Sequence, residues 1–199
     1  MNSPNPDDKA VDDKQLPFLE HLVELRSRIL RSLAFVAALF LPVYYFSEAL
    51  FTWVAEPLMS RLPEGSGMIA TQVASPFLAP FKLAVYTAIF IGMPFLLHQL
   101  WSFVSPGLYR HEKRFALPLL TSSVALFYCG MAFSYLLVFP IVFTFFIEIN
   151  PAGISMMTDI NQYLDFVMKM FLAFGLAFEI PVATLLMVWS GLTTADAMA

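Results

Sequence analysis

From Phe115 through Ile147 no side chain carries a charge. A run of that length leaves the chain little choice of solvent. A helix that is apolar all round has to be buried in a large core or in lipid, and about 20 mostly apolar residues suffice to cross a bilayer. Three more apolar stretches accompany it, at about 29–51, 81–103 and 166–189. Composition agrees. Hydrophobic residues make up 59% of the 199 and charged ones 13%, against about 45–50% and 25% in soluble domains. The expected fold is therefore all-α, a polytopic transmembrane helical bundle with four spans. At about 1.5 Å of rise per residue the uncharged run exceeds one straight crossing. Pro118 and Pro140 are expected to delay, kink or end it, giving a third span over about 118–139 with an apolar extension at the far surface.

Basic residues orient the bundle. Lys9, Lys14, Arg26 and Arg28 precede the first span, and Arg31 stands at its entrance. Arg110, Lys113 and Arg114 occupy the second loop. The first loop, residues 52–80, has only Arg61, and the third, residues 141–164, has none. Positive charge marks the cytoplasmic side, so the N-terminus and second loop of this multi-pass protein are cytoplasmic. Residues 1–16 are polar and lack the basic-then-apolar order of a cleaved leader. They are expected as an unstructured cytoplasmic tail ahead of a membrane domain over 17–199. The net charge of −4 is matched by Asp7, Asp8, Asp12 and Asp13 in that tail, and no basic nucleic-acid face is visible. Prolines and apolar residues mixed through the first loop suggest a packed cap.

Three places hold candidate chemistry. In the segment that opens at Pro17 and runs through Arg28 into the first span, apolar Leu19, Leu22, Val23, Leu25 and Ile29 form one stripe while Glu20, His21, Glu24, Arg28 and Arg31 cluster on the other side. Glu24 and Arg28 stand at i, i+4. On the residues alone this is either an interfacial helix stitched by ordinary ion pairs or a binding face. The loop Ser105–Arg114 sets Glu112 among three cations, where topology requires no acid. Glu179 lies within the fourth apolar stretch, and an ionisable group there usually faces protein, water or a partner. Lys169 is about 15 Å along the helix and cannot serve it. Pro181 leaves the carbonyl of Ala177 unpaired beside the acid. No phosphate loop, nucleophile elbow or zinc-protease helix motif occurs. His21, His98 and His111 are too dispersed for a metal site, and Cys129 stands alone. No cofactor, metal or enzymatic activity is expected.

Together, Phe18-Leu19-Glu20-His21-Leu22-Val23-Glu24-Leu25-Arg26-Ser27-Arg28 and Ser105-Pro106-Gly107-Leu108-Tyr109-Arg110-His111-Glu112-Lys113-Arg114 resemble the TatC family, the multi-span receptor subunit of the twin-arginine protein translocase. Residues 68–81, 127–140 and 158–181 are similar as well. The resemblance implies a core receptor binding twin-arginine signal peptides of folded proteins for export driven by the proton-motive force. It implies single-span TatA and TatB subunits as partners in an oligomeric complex in the lipid bilayer of the bacterial cytoplasmic (inner) membrane. By matched position it makes Glu24 and Glu112 the carboxylates for the arginine pair. Arg26, Phe103 and Arg110 belong to the same recognition surface, Pro57 to the extracytoplasmic cap, and Glu179 is the intramembrane acid of the concave face.

Carboxylates suit that task, because a guanidinium is a rigid planar fork that they accept bidentately. The family has six spans, and this chain carries four, so it is expected to be a partial member lacking the last two. Two rivals stand beside this reading. A secondary transporter fragment with its acid at Glu179 predicts an internal repeat, and none is visible. An intramembrane enzyme needs a second catalytic group at the depth of Glu179, which has none in the sequence.

Overall fold

The computed structural model describes residues 6–62, 66–104, 113–149 and 157–189. Helix α1 (Pro6–Tyr45) leads into α2 (Ser47–Met59), strand β1 (Gly67–Ile69) and α3 (Ser75–Val104). Then come α4 (Lys113–Phe133), a π-helical turn (Ser134–Val138), α5 (Phe139–Glu148), strand β2 (Met157–Asp159) and α6 (Ile160–Trp189). Among the described residues, four segments are long and apolar enough to cross a bilayer: His21–Tyr45, Ser75–Phe103, Leu117–Glu148 and Ile160–Leu185.

The number of spans is as expected, but their ends move. The first stops at Tyr45 rather than residue 51, because Phe46 leaves helical geometry at φ −97°, ψ 13°. Glu48 then falls in the first turn of α2, where an acid favours the helix dipole. Upstream, α1 already begins at Pro6, so residues 6–16 are helical where an unstructured tail was expected. Proline suits a first helical position, and Asp7 and Asp8 follow in the turn where acids are favoured. The second and fourth spans start about six residues early, at Ser75 and Ile160.

The third span does not stop at Pro140. Helix continues from Leu117 to Glu148, because the chain widens just before the proline. The N–H of Phe139 bonds to the carbonyl of Ser134, five residues back. A proline ring collides with the carbonyl four residues earlier in a regular helix, and a π-helical turn relaxes that spacing.

Two other prolines are accommodated by tyrosines. Pro57 in α2 and Pro94 in α3 lie inside their helices, and each deprives the carbonyl four residues back of its donor. Those carbonyls belong to Trp53 and Phe90. The Tyr135 hydroxyl donates to the Trp53 carbonyl at 3.2 Å, and the Tyr128 hydroxyl donates to that of Phe90 at 2.9 Å. Tyr135 also stacks on the Trp53 ring, with centroids 4.5 Å apart and planes at 10°. Backbone groups freed in an apolar medium must find partners, and two residues of the third span supply them.

Helices α4 and α6 approach through small residues. A Cβ on Gly130 would run into the Phe174 carbonyl, and one on Gly175 into the Phe127 ring. Close crossing of this kind is how membrane helices gain packing where lipid removes the hydrophobic drive. Phe127, Phe139, Leu164, Val167 and Met168 form the centre of the buried core.

Opposite the second loop, the first and third loops meet. β1 and β2 pair in parallel, with Met68 opposite Thr158, as the charge asymmetry requires of two loops on one side. Asp159 ties this face together. Its Oδ1 accepts the N–H groups of Asn161 and Gln162 at 2.9 and 3.0 Å, capping α6, and its Oδ2 accepts the N–H and hydroxyl of Thr71. These bonds hold its carboxyl well below the usual carboxylate range, at about 2, with the Thr71 hydroxyl the largest cause. Asn161 donates to the Ser75 hydroxyl at the start of α3, and Lys82 pairs with Asp165 at 2.8 Å. Helix α2 lies over this end with Val54, Ala55 and Leu58 buried, stapled by a 2.7 Å bond from the Tyr163 hydroxyl to the Val54 carbonyl.

Candidate functional site: a cytoplasmic recognition surface and a buried acid

At the cytoplasmic end, α1 and the last turns of α3 build one polar cluster. Glu24 and Arg28 stand one helical turn apart and pair at i, i+4. Arg28 Nε and Nη2 both donate to Glu24 Oε1, at 2.9 and 2.6 Å. The same guanidinium reaches across to α3, donating to Gln99 Oε1 at 3.2 Å and to the Ser102 carbonyl at 3.1 Å. Glu24 Oε2 has His21 Nδ1 3.8 Å away, beyond hydrogen-bonding distance. The His21 ring lies flat on Phe103, with centroids 4.2 Å apart and planes at 13°. Among the described residues, the arrangement is a carboxylate with one oxygen engaged and one free, beside an aromatic shelf.

Of the residues implied for the recognition surface, Glu24 and Phe103 are thus brought together. Arg26 is not. Two residues from Glu24 along a helix is about 200° around it, and Arg26 lines a shallow groove with Arg31, Ser27 and Leu30 on another side of α1. Arg110 and Glu112 lie outside the described residues. Pro57 is buried in α2, which lies over the end where the first and third loops meet, with its carbonyl accepting from Arg61 Nη1 at 3.2 Å. Gln99 and Ser102 were not identified as members of this surface, and Arg31, expected on the polar face with Glu24, lies in the groove of Arg26 instead. The i, i+4 pairing of Glu24 with Arg28 is legible in the sequence, but contacts that cross to α3 carry no sequence signal.

The buried acid differs from expectation in depth and in company. Trp101, three residues from the end of α3, donates through Nε1 to Ser123 Oγ at 3.4 Å, and Ser123 donates to Glu179 Oε2. Glu179 therefore stands in the cytoplasmic half of α6, because that helix begins at Ile160 and not near residue 166. Its Oε1 is buried without a partner among the described residues. The acid lines a cavity of about 200 Å³ with Leu97, Leu100, Leu176 and Val182. It is neither open to lipid with no partner of its own nor fully satisfied within the bundle: one oxygen is bonded and one is spare. An indole N–H only donates, which fixes the direction of the chain from Trp101 through Ser123 to the carboxyl. The sequence offered one clue to Ser123, a Ser122-Ser123 pair inside an apolar run.

Comparison with known proteins decides the family. The family model described as Sec-independent protein translocase protein (TatC) matches residues 20–199. The chain belongs to the TatC family. The Sec-independent protein translocase protein TatC of Azotobacter chroococcum mcd 1 is 57% identical over 180 residues, covering 90% of this chain and 71% of that one. The TatC protein of Escherichia coli (strain K12) is 46% identical over 187 residues, covering 94% and 72%. A crystal structure titled as the twin arginine translocase receptor TatC superposes with a TM-score of 0.81 at 31% identity, over 88% of this chain and 78% of that one. A TatC protein is an integral membrane component of protein transport, and the transporter-fragment and enzyme readings give way to it.

Proposed function

We propose that this TatC protein is the receptor subunit of a twin-arginine translocase, binding paired arginines of an exported protein's signal peptide at its cytoplasmic face. The observation that carries the reading is Glu24. Its Oε2 has no hydrogen bond among the described residues, and the His21–Phe103 pair beside it offers the flat surface on which a guanidinium stacks. Glu24 is one carboxylate of the site and Glu112 the second. Arg110 belongs to the same loop as Glu112, while Arg26 on its separate groove contributes from the flank. The receptor works in a membrane assembly with single-span TatA and TatB subunits, and the proton-motive force supplies the energy. Glu179, with its spare oxygen, is a polar contact for a single-span partner helix.

The test is photo-crosslinking of an Arg-Arg signal peptide to the complete translocase in membranes. Glu24→Ala and Glu112→Ala are each expected to weaken it roughly 10-fold to 100-fold, the range for a charge-assisted bond. Glu112→Gln is expected to fail too, because shape without charge is insufficient. Undiminished crosslinking in both alanine variants refutes the reading.

A further inference from the structure

Among the described residues, Arg28 makes more hydrogen bonds at the recognition surface than Glu24, Arg26 or Phe103. One guanidinium makes four hydrogen bonds, two to Glu24 Oε1 and one each to Gln99 and the Ser102 carbonyl. Its side chain is 20% exposed, against 37% for Glu24, so it lies beneath the acid rather than beside it. The Ser102 carbonyl is one of the last four of α3, which a helix leaves without internal donors, and a cation there also meets the negative end of the helix dipole. Arg28 is thus an ion-pair partner for α1 and a C-terminal cap for α3 at once. The loop that carries Glu112 starts directly after that capped end.

We propose that Arg28 is the positioning residue of the recognition surface, holding Glu24 by Oε1 and the end of α3 by Gln99 and Ser102, so that Glu24 offers Oε2 alone to an incoming arginine. The inference rests on the reading of Glu24 as a signal-peptide carboxylate. Its consequence is selectivity. A carboxylate with both oxygens free can take one guanidinium bidentately, or turn to meet a lysine from many directions. A carboxylate clamped at one oxygen gives one arginine a single bond and a fixed approach, over the His21–Phe103 shelf. One arginine then binds modestly, and a second has to find a second acid. Lysine, a compact charge that lacks the planar face, gains little from the shelf.

The experiment compares Arg-Arg with Lys-Lys signal peptides by photo-crosslinking to the complete translocase in membranes carrying Arg28→Lys, Gln99→Ala or Glu24→Ala. Arg28→Lys keeps the charge but cannot span four acceptors. It is expected to lower Arg-Arg crosslinking roughly 10-fold and to reduce the preference for Arg-Arg over Lys-Lys several-fold, because the released Glu24 accepts either cation. Gln99→Ala, which leaves the Glu24 bonds in place, is expected to move the preference in the same direction by less, and it decides the matter if Arg28→Lys abolishes both signals. An unchanged preference overturns the proposal, whether total crosslinking stays or falls evenly, since a purely structural role weakens both peptides alike. A rise in Arg-Arg crosslinking overturns it too, making Arg28 a competitor for the acid. If Glu24→Ala leaves Arg-Arg crosslinking intact, the reading of Glu24 fails and this inference with it. If Glu24→Ala weakens crosslinking while the Arg28→Lys preference holds, only the role of Arg28 falls.

Discussion

Asp159 and Glu24 are acids at opposite faces of the same bundle, and they differ in what their oxygens still lack. Asp159 accepts from three backbone N–H groups and one hydroxyl, so both oxygens are engaged within the chain. Among the described residues, Glu24 has both its short bonds on Oε1 and none on Oε2. Glu179 sits between these cases, with Ser123 on one oxygen and no described partner on the other. A saturated carboxylate has no capacity left for a ligand and acts as structure. One with a spare oxygen near the surface is available to bind. The last two turns of α3 serve both unsaturated acids, with Gln99, Ser102 and Phe103 around Glu24 and Leu97, Leu100 and Trp101 around Glu179.

The contrast breaks most easily at its extremes. Glu24→Ala is expected to cost roughly 10-fold to 100-fold in signal-peptide binding while leaving thermal unfolding in detergent unchanged. Asp159→Ala is expected to do the reverse, with binding retained and α2 and the loop strands cleaved several-fold faster in limited proteolysis. A binding loss in the second variant without a proteolysis change erases the distinction.

Acidity sharpens the same point. The folded state holds the Asp159 carboxyl at about 2, below its ordinary 3.8. A depressed acid contributes stability that is complete above its unfolded value and lost as pH falls through the folded one. Protease resistance of the far-face cap is therefore expected to hold above pH 3.8 and to decline toward pH 2. Asp159→Asn is expected to flatten that decline. An equally steep decline in Asp159→Asn assigns it to other groups.

Glu179→Leu is expected to preserve insertion and to lower crosslinking to a single-span partner several-fold, with Glu179→Gln retaining much of it. Equal crosslinking in both variants makes the acid structural, the smaller sibling of Asp159.

The smallest effect concerns backbone acceptors. Tyr128→Phe strands the Phe90 carbonyl and is expected to destabilise the bundle by about 1–3 kcal/mol. Pro94→Ala restores the helical donor, so the pair of changes is expected to cost less than Tyr128→Phe alone. Additive costs in that double-mutant cycle mean that the tyrosine does not serve the proline's carbonyl.

Four spans, their order and the cytoplasmic N-terminus were legible in the sequence. Each follows from a property summed over many residues, the apolar content of a stretch or the balance of Lys and Arg across loops, which no single contact can reverse. The Glu24–Arg28 pair was legible because helical spacing alone makes it. Span ends were not, since Phe46 breaks a helix inside an apolar run and the π-helical turn carries another past Pro140. Only the tertiary structure decided which oxygen of Glu24 is free, that Arg26 faces elsewhere, that Ser123 holds Glu179, and that Tyr128 and Tyr135 serve carbonyls freed by prolines. The tyrosine and serine bonds join residues 38 to 82 positions apart, as Tyr128 with Phe90 and Tyr135 with Trp53. They depend on the rotation of one helix against another, a quantity that no local periodicity encodes.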